Sequence, residues 1–166
     1  MITAKSGMCI AIAIALAGLP APAQTTIFTG HSTFKPAAVE YLFPEQVTVT
    51  AGKPTTVTLH FRIAPGLHIN SHTPSEDELI PTTLSIPGDS GVRLEGAFYP
   101  PGAEFTLPLD PKTKLSVYSG EFTIQARIVA TAGDHLVEAQ LHYQACDNHA
   151  CMPPRTMTAA IDVIAK

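Results

Sequence analysis

Residues 122–130 read Phe122-Thr123-Ile124-Gln125-Ala126-Arg127-Ile128-Val129-Ala130. Apolar side chains fall at 122, 124, 126, 128 and 130, with Thr, Gln and Arg among the residues between them. A period of two places one row of side chains on a buried face and the other in water, which is the pattern of a half-buried β-strand. Gly133-Asp134 interrupts the run, and Leu136, Ala139, Leu141 and Tyr143 resume it with one irregular step. Two such runs around a Gly-Asp break predict a β-hairpin.

The same period extends outward in both directions. Val47 and Val49, then Val57, Leu59, Phe61 and Ile63, alternate with Thr, His and Arg around a turn at Gly52-Lys53-Pro54. A last strand is expected through Met157, Ala159, Ile161 and Val163. Shorter candidates cover residues 39–43, 67–71, 82–86, 92–98 and 115–118, separated by Pro65-Gly66, Pro87-Gly88, Pro100-Pro101-Gly102 and Asp110-Pro111. No stretch sustains a helical period. Many short strands between turn signals predict an all-β chain, an immunoglobulin-like antiparallel β-sandwich. It is not of the antibody type, because there is no Trp and the cysteines lie too close in sequence to bridge facing sheets.

The N-terminus reads as an export signal. Lys5 precedes an apolar run from Met8 to Leu19, too short to span a bilayer comfortably, and Ala21-Pro22-Ala23 offers a small-x-small cleavage pattern. Residues 1–23 are thus expected to be a signal peptide cut after Ala23, with an uncleaved anchor as the alternative. Residues 24–35 form a flexible leader and 36–166 the folded domain, long enough to bury a core. The expected location is periplasmic or secreted, with no stable membrane insertion after cleavage. The formal net charge is −4, and loss of Lys5 makes it one unit more acidic. An acidic chain with no basic run lacks the footprint that nucleic acid requires. Nor is there a phosphate loop, a Ser-His-acid set or a paired-carboxylate motif, so hydrolase and nucleotide-cofactor chemistry have no support and no cofactor is expected.

Cys9 belongs to the signal, which leaves Cys146 and Cys151 with four residues between them. An even cysteine count in an exported protein points to a disulfide. Chain-entropy arithmetic gives so short a ring only about 2 kcal/mol, against nearly 5 for a ring of some 100 residues. Such a bond is poorly placed to stabilise a sandwich and well placed to exchange. Both cysteines are expected on or beside one loop at the sandwich edge, within reach of a partner. Protonated His149 and the fixed charge of Arg155 favour a thiolate there, and Asp147 opposes both. Two other readings stay open. One is a structural loop staple on a non-catalytic, partner-binding sandwich. The other is a Cu(I) chaperone, for which Cys146, His149, Cys151 and Met152 supply soft ligands.

The run Tyr143-Gln144-Ala145-Cys146 followed by Cys151-Met152-Pro153-Pro154-Arg155-Thr156 resembles the active-site stretch of the N-terminal periplasmic domain of the thiol:disulfide interchange protein DsbD. Gly66-Leu67-His68-Ile69-Asn70-Ser71 with Pro81-Thr82, and Leu115-Ser116-Val117-Tyr118, resemble further family segments, so the likeness spans roughly residues 36–164. The resemblance implies an immunoglobulin-like domain whose dithiol relays electrons across the periplasm, a protein-disulfide reductase type of chemistry. Its implied partners are thioredoxin-like periplasmic proteins or a membrane electron conduit. By the same resemblance, Cys151 forms the mixed disulfide and Cys146 resolves it. The loop here is one residue shorter than in the best-known member. Sequence after the match carries neither a membrane-embedded nor a thioredoxin-like domain, so the expectation is that electrons come from a separate protein or that the chain works outside that pathway. The family also shields its cysteines with a cap loop bearing an aromatic residue. The corresponding stretch, roughly Leu107–Lys114, has none, and Phe105 just before it is the candidate substitute. Tyr143 is a candidate lining residue, with core packing as the alternative. Glu104 is placed near the cap, where its charge would raise a thiol pKa. His68 and His72 are read as surface or turn-stabilising residues rather than ligands of a site with His142.

Overall fold

The structure is a computed structural model that describes residues 37–43, 46–108 and 110–166. The expected signal peptide and leader lie outside the described residues. Among these residues there are twelve strands and no helix. The first sheet has the order β1 (Val39–Leu42), β3 (Thr55–Ile63), β9 (Glu121–Ala130), β6 (Val92–Phe98). The second has β2 (Gln46–Val49), β12 (Arg155–Ala165), β10 (Gly133–Tyr143), β5 (Thr83–Ser85). The third has β11 (Ala145–Cys146), β4 (His68–Asn70), β8 (Asp110–Tyr118), β7 (Ala103–Leu107). Every pairing is antiparallel except that of β2 with β12, which is parallel.

The alternation in the sequence becomes the core of an immunoglobulin-like sandwich. Phe122, Ile124, Ala126, Ile128 and Ala130 of β9 are all buried, as are Val57, Leu59, Phe61 and Ile63 beside them on β3. They pack in one cluster with Val137, Ala139, Leu141 and Tyr143 of β10 and with Ala159, Ile161 and Val163 of β12. The irregular step expected in β10 is absent. Val137 is the inward residue at 0% exposure, and Leu136 faces solvent at 71%. Exposed leucine at that position imitated a break in an unbroken period.

The expected hairpin between β9 and β10 does not form. β9 pairs with β3 and β6, whereas β10 pairs with β12 and β5 in the other sheet. Both strands carry a full apolar face and are central in their sheets, so each already has two neighbours. Gly133, at φ +127°, lies where the chain passes from one sheet to the other.

The third sheet carries the cysteines and is held by polar contacts as well as packing. Asn70 donates from Nδ2 to the Ile80 carbonyl at 3.1 Å, and the Thr82 hydroxyl donates to the Asn70 carbonyl at 2.6 Å. The Tyr118 hydroxyl accepts from the His72 amide and donates to the Pro100 carbonyl at 2.9 Å. Ser71 and Ser116 hydroxyls meet at 2.8 Å. These bonds fix β4 against β8 and hold the 72–82 loop down. They place β4 where β11 can add to its free edge.

Candidate functional site

Cys146 and Cys151 form a disulfide, with Cα atoms 3.9 Å apart across an isolated antiparallel bridge. The turn between them is built by its own backbone. The Asp147 amide donates to the Ala150 carbonyl at 3.0 Å, and the Met152 amide donates to the Ala145 carbonyl at 2.8 Å. One oxygen of Asp147 accepts the amides of His149 and Ala150 at 2.7 and 2.8 Å, the bonding of an Asx turn. Gln144 Nε2 donates to the Met152 carbonyl at 3.2 Å. Pro153 and Pro154 have no N–H to continue the ladder, so the chain is released into β12.

The expectation that both cysteines lie within a partner's reach holds for one of them. Cys151 is exposed, while Cys146 is 3% exposed at the end of β11. β11 pairs with β4, and that register puts Cys146 directly opposite His68. A two-residue strand is enough to bury one cysteine and leave the other exposed.

His68 departs from the surface role read from its sequence position. It is 3% exposed, and its ring lies 4.3 Å, centroid to centroid, from that of Phe105. Its Nε2 has no hydrogen-bond partner. Burial holds its pKa below the ordinary imidazole value, and the Asp147 carboxylate pulls in the opposite direction. Phe105 reaches His68 from β7, so the aromatic candidate does lie over the side of the sheet that holds Cys146. The stretch taken as the cap loop is mostly strand: β7 and β8 form a hairpin with Leu107 opposite Asp110. Glu104, beside Phe105, is exposed and pairs with Lys114 at 2.9 Å.

Other expected residues are placed as follows. His149 is exposed, with Nδ1 3.9 Å from the Asp147 carboxylate. Asp147 itself is held below the usual carboxylate range by the amides of Ala150 and His149. Arg155 is exposed and stands opposite Tyr143 in the β10–β12 register. Tyr143 is 3% exposed within the core cluster, and burial raises its pKa while the Arg155 charge and a backbone bond to Val39 lower it. That is the core-packing placement. His72 stacks on Tyr99 at 3.8 Å, and His142 meets the Thr156 hydroxyl at 3.1 Å, so neither joins His68. Among the described residues no group of three or more His, Cys, Asp or Glu converges to hold a metal.

The family model described as "Thiol:disulfide interchange protein DsbD, N-terminal" matches residues 38–162. The chain belongs to the DsbD N-terminal family. Comparison with curated proteins gives no match. Among solved structures, the reduced DsbD N-terminal domain of Neisseria meningitidis is 20% identical, with TM-score 0.46 over 67% of this chain and 79% of that one. The N-terminal periplasmic domain of ScsB from Proteus mirabilis is 12% identical, with TM-score 0.48 over 75% of this chain and 44% of that one. Family membership and the disulfide together make this a thiol-disulfide exchange module of the DsbD N-terminal kind. The segments that carried the resemblance, 66–71, 115–118 and 143–156, supply β4, the end of β8, and β11 with its loop. His68 was legible only as a letter in the first of them, because its burial depends on a pairing with distant residues.

Proposed function

We propose that this protein relays electrons by thiol-disulfide exchange between a thioredoxin-like or membrane donor and thiol proteins of the periplasm, through a Cys146/Cys151 dithiol. In this reading the chain reaches the periplasm by a signal peptide cleaved after Ala23 and is not inserted in the membrane afterwards. No helix among the described residues is long and apolar enough to cross a membrane. The observation that carries the reading is the unequal burial of the two cysteines. Exchange proceeds through attack on an accessible sulfur, a mixed disulfide, and release by a second thiol held nearby. Cys151 has the exposure needed to meet a partner's sulfur. Cys146 is shielded from partners and tethered next to it, which suits an intramolecular resolving thiol.

Magnitudes weigh against a staple. The ring contributes about 2 kcal/mol, comparable to burying one of the core's leucines or isoleucines at about 1.5–3 kcal/mol. The core holds many such side chains.

Equilibration with glutathione tests the proposal. A relay has a reduction potential within about −120 to −270 mV, the span of known exchange proteins. A potential below about −300 mV with no exchange on mixing identifies an inert bridge and overturns it.

A further inference from the structure

The least explained group near the disulfide is the imidazole of His68. Cross-strand partners in an antiparallel pair project to the same face, with Cβ atoms about 4.5–5.5 Å apart. His68 and Cys146 are such partners, and each is only 3% exposed. Phe105 lies against the imidazole and adds to the apolar shell around it. Nε2 of His68 is buried without a hydrogen bond. Leaving a buried polar atom unpaired costs about 1–3 kcal/mol, so it calls for an explanation.

The redox state supplies one. In the disulfide the Cys146 sulfur carries no proton and has nothing to donate. Reduction places an S–H on Cys146, the cross-strand partner of the residue that carries this unpaired nitrogen. A buried thiol also needs help to ionise. Its ordinary pKa is about 8.5, and apolar surroundings raise it, so at neutral pH it is almost wholly the unreactive form.

We propose that His68 is the proton acceptor for the Cys146 thiol, a catalytic residue of the resolving step. The proposal rests on the exchange reading given above. It assigns the neutral tautomer with its proton on Nδ1. Cys151 thiolate attacks a partner's disulfide, and one partner sulfur leaves as a thiolate. The Cys146 thiol then passes its proton to Nε2 of His68, and the new thiolate attacks Cys151 Sγ. The bond from Cys151 to the partner's remaining sulfur breaks, and that sulfur departs with the electron pair. The imidazolium returns its proton to the departing thiolate or to solvent. The dithiol is oxidised by two electrons, and the partner's disulfide is reduced by the same two.

Neutrality of His68 before the step is what a base requires, and its burial favours it. The charged groups around the site are compatible with that role. Asp147, on the active loop, favours the imidazolium once formed. His149 sits outside, against Asp147. On β7 and β8, Glu104 and Lys114 neutralise one another. Tyr118, opposite Ile69 on β8, has its hydroxyl committed to Pro100.

Reduced protein mixed with 5,5′-dithiobis(2-nitrobenzoate) in a stopped-flow instrument separates the two steps. Attack by Cys151 releases one nitrothiobenzoate, in a phase that depends on reagent concentration. Resolution by Cys146 releases the second, in a phase that does not. Proton transfer within a thiol–imidazole pair makes the second rate nearly level from about pH 6.5 to 8, between the two pKa values. In His68→Gln the second rate should instead rise about tenfold per pH unit, as the thiolate fraction does, and be about tenfold or more slower at pH 7. The first phase should be unchanged. A wild-type second phase that itself climbs tenfold per unit overturns the proposal, and this needs no variant. So does a His68→Gln profile that stays level, or one slowed equally at every pH, which marks a packing role. Absence of the first phase in wild type would instead remove the exchange reading, and the proposal with it.

Discussion

The two cysteines differ because a pair of residues, Ala145 and Cys146, adds to the edge of β4 while Asn148 to Cys151, in the turn after them, stay exposed. Within that turn Asp147 uses a single oxygen to gather two amides, so the acid expected to oppose thiolate formation also shapes the loop. Cysteine spacing and the Tyr-Gln-Ala-Cys run were readable as letters, and so were the candidates His149 and Phe105. What spacing did not carry was depth. Nothing local to Cys146 says that it is covered, nor that His68 is its neighbour, since both facts depend on strands joined across the chain. Phe105 is the side chain to remove at this scale. Phe105→Ala should uncover the His68 side of the site and raise the rate of disulfide reduction by dithiothreitol about three- to tenfold, through access alone. Folding stability should fall by about 1 kcal/mol for a half-buried ring. Stopped-flow reduction and urea denaturation check the pair of outcomes, and an unchanged rate would mean that Phe105 is no shield.

Elements were legible in proportion to how much of one face they bury. β3, β6, β9 and β12 appear within two residues of their expected bounds, because buried side chains impose period two on the sequence. The β7–β8 hairpin has no such signal, for the opposite reason. Its outer residues, Ala103–Pro108 and Asp110–Lys114, are exposed or half-buried, and Asp110, Pro111 and Lys112 look like loop. Backbone pairing holds those strands, and pairing leaves no hydrophobic signature. The expected hairpin of β9 and β10 does not form, because two strands of equal apolar content each take a central place in a different sheet. Gly102 shows how closely β7 approaches its neighbours. A Cβ there would lie 2.1 Å from the Ser116 Oγ and 2.8 Å from the Ser71 Cβ. Gly102→Ala must therefore push β7 away from the Ser71–Ser116 contact, at a cost of about 1–3 kcal/mol. Because β7 carries Phe105, the same variant should also speed reduction of the disulfide. Loss of stability without faster reduction would show that the hairpin moves independently of the site.

At the scale of the whole domain, stability and chemistry rest on different parts of the molecule. Stability comes from the single apolar cluster shared by the first two sheets, with Ile69, Tyr118 and Ala145 of the third joined to it. The disulfide lies at the β11 edge of that third sheet, and neither cysteine belongs to the cluster, so the bond can open without disturbing it. Leu141→Ala should accordingly cost about 2–5 kcal/mol, whereas reducing the disulfide should cost about 2 kcal/mol or less. Urea denaturation of the oxidised, reduced and Leu141→Ala proteins gives the comparison. A larger loss on reduction than on core truncation would restore the staple reading.

The central claim is that Cys151 meets the partner and Cys146 does not. Reduced Cys146→Ser and Cys151→Ser proteins, each mixed with glutathione disulfide and followed by intact-mass spectrometry, test it most directly. The account predicts rapid, stable accumulation of a glutathione adduct on Cys151 in the first variant, and little or none on Cys146 in the second. Equal labelling of the two variants, or faster labelling of Cys146, would contradict it.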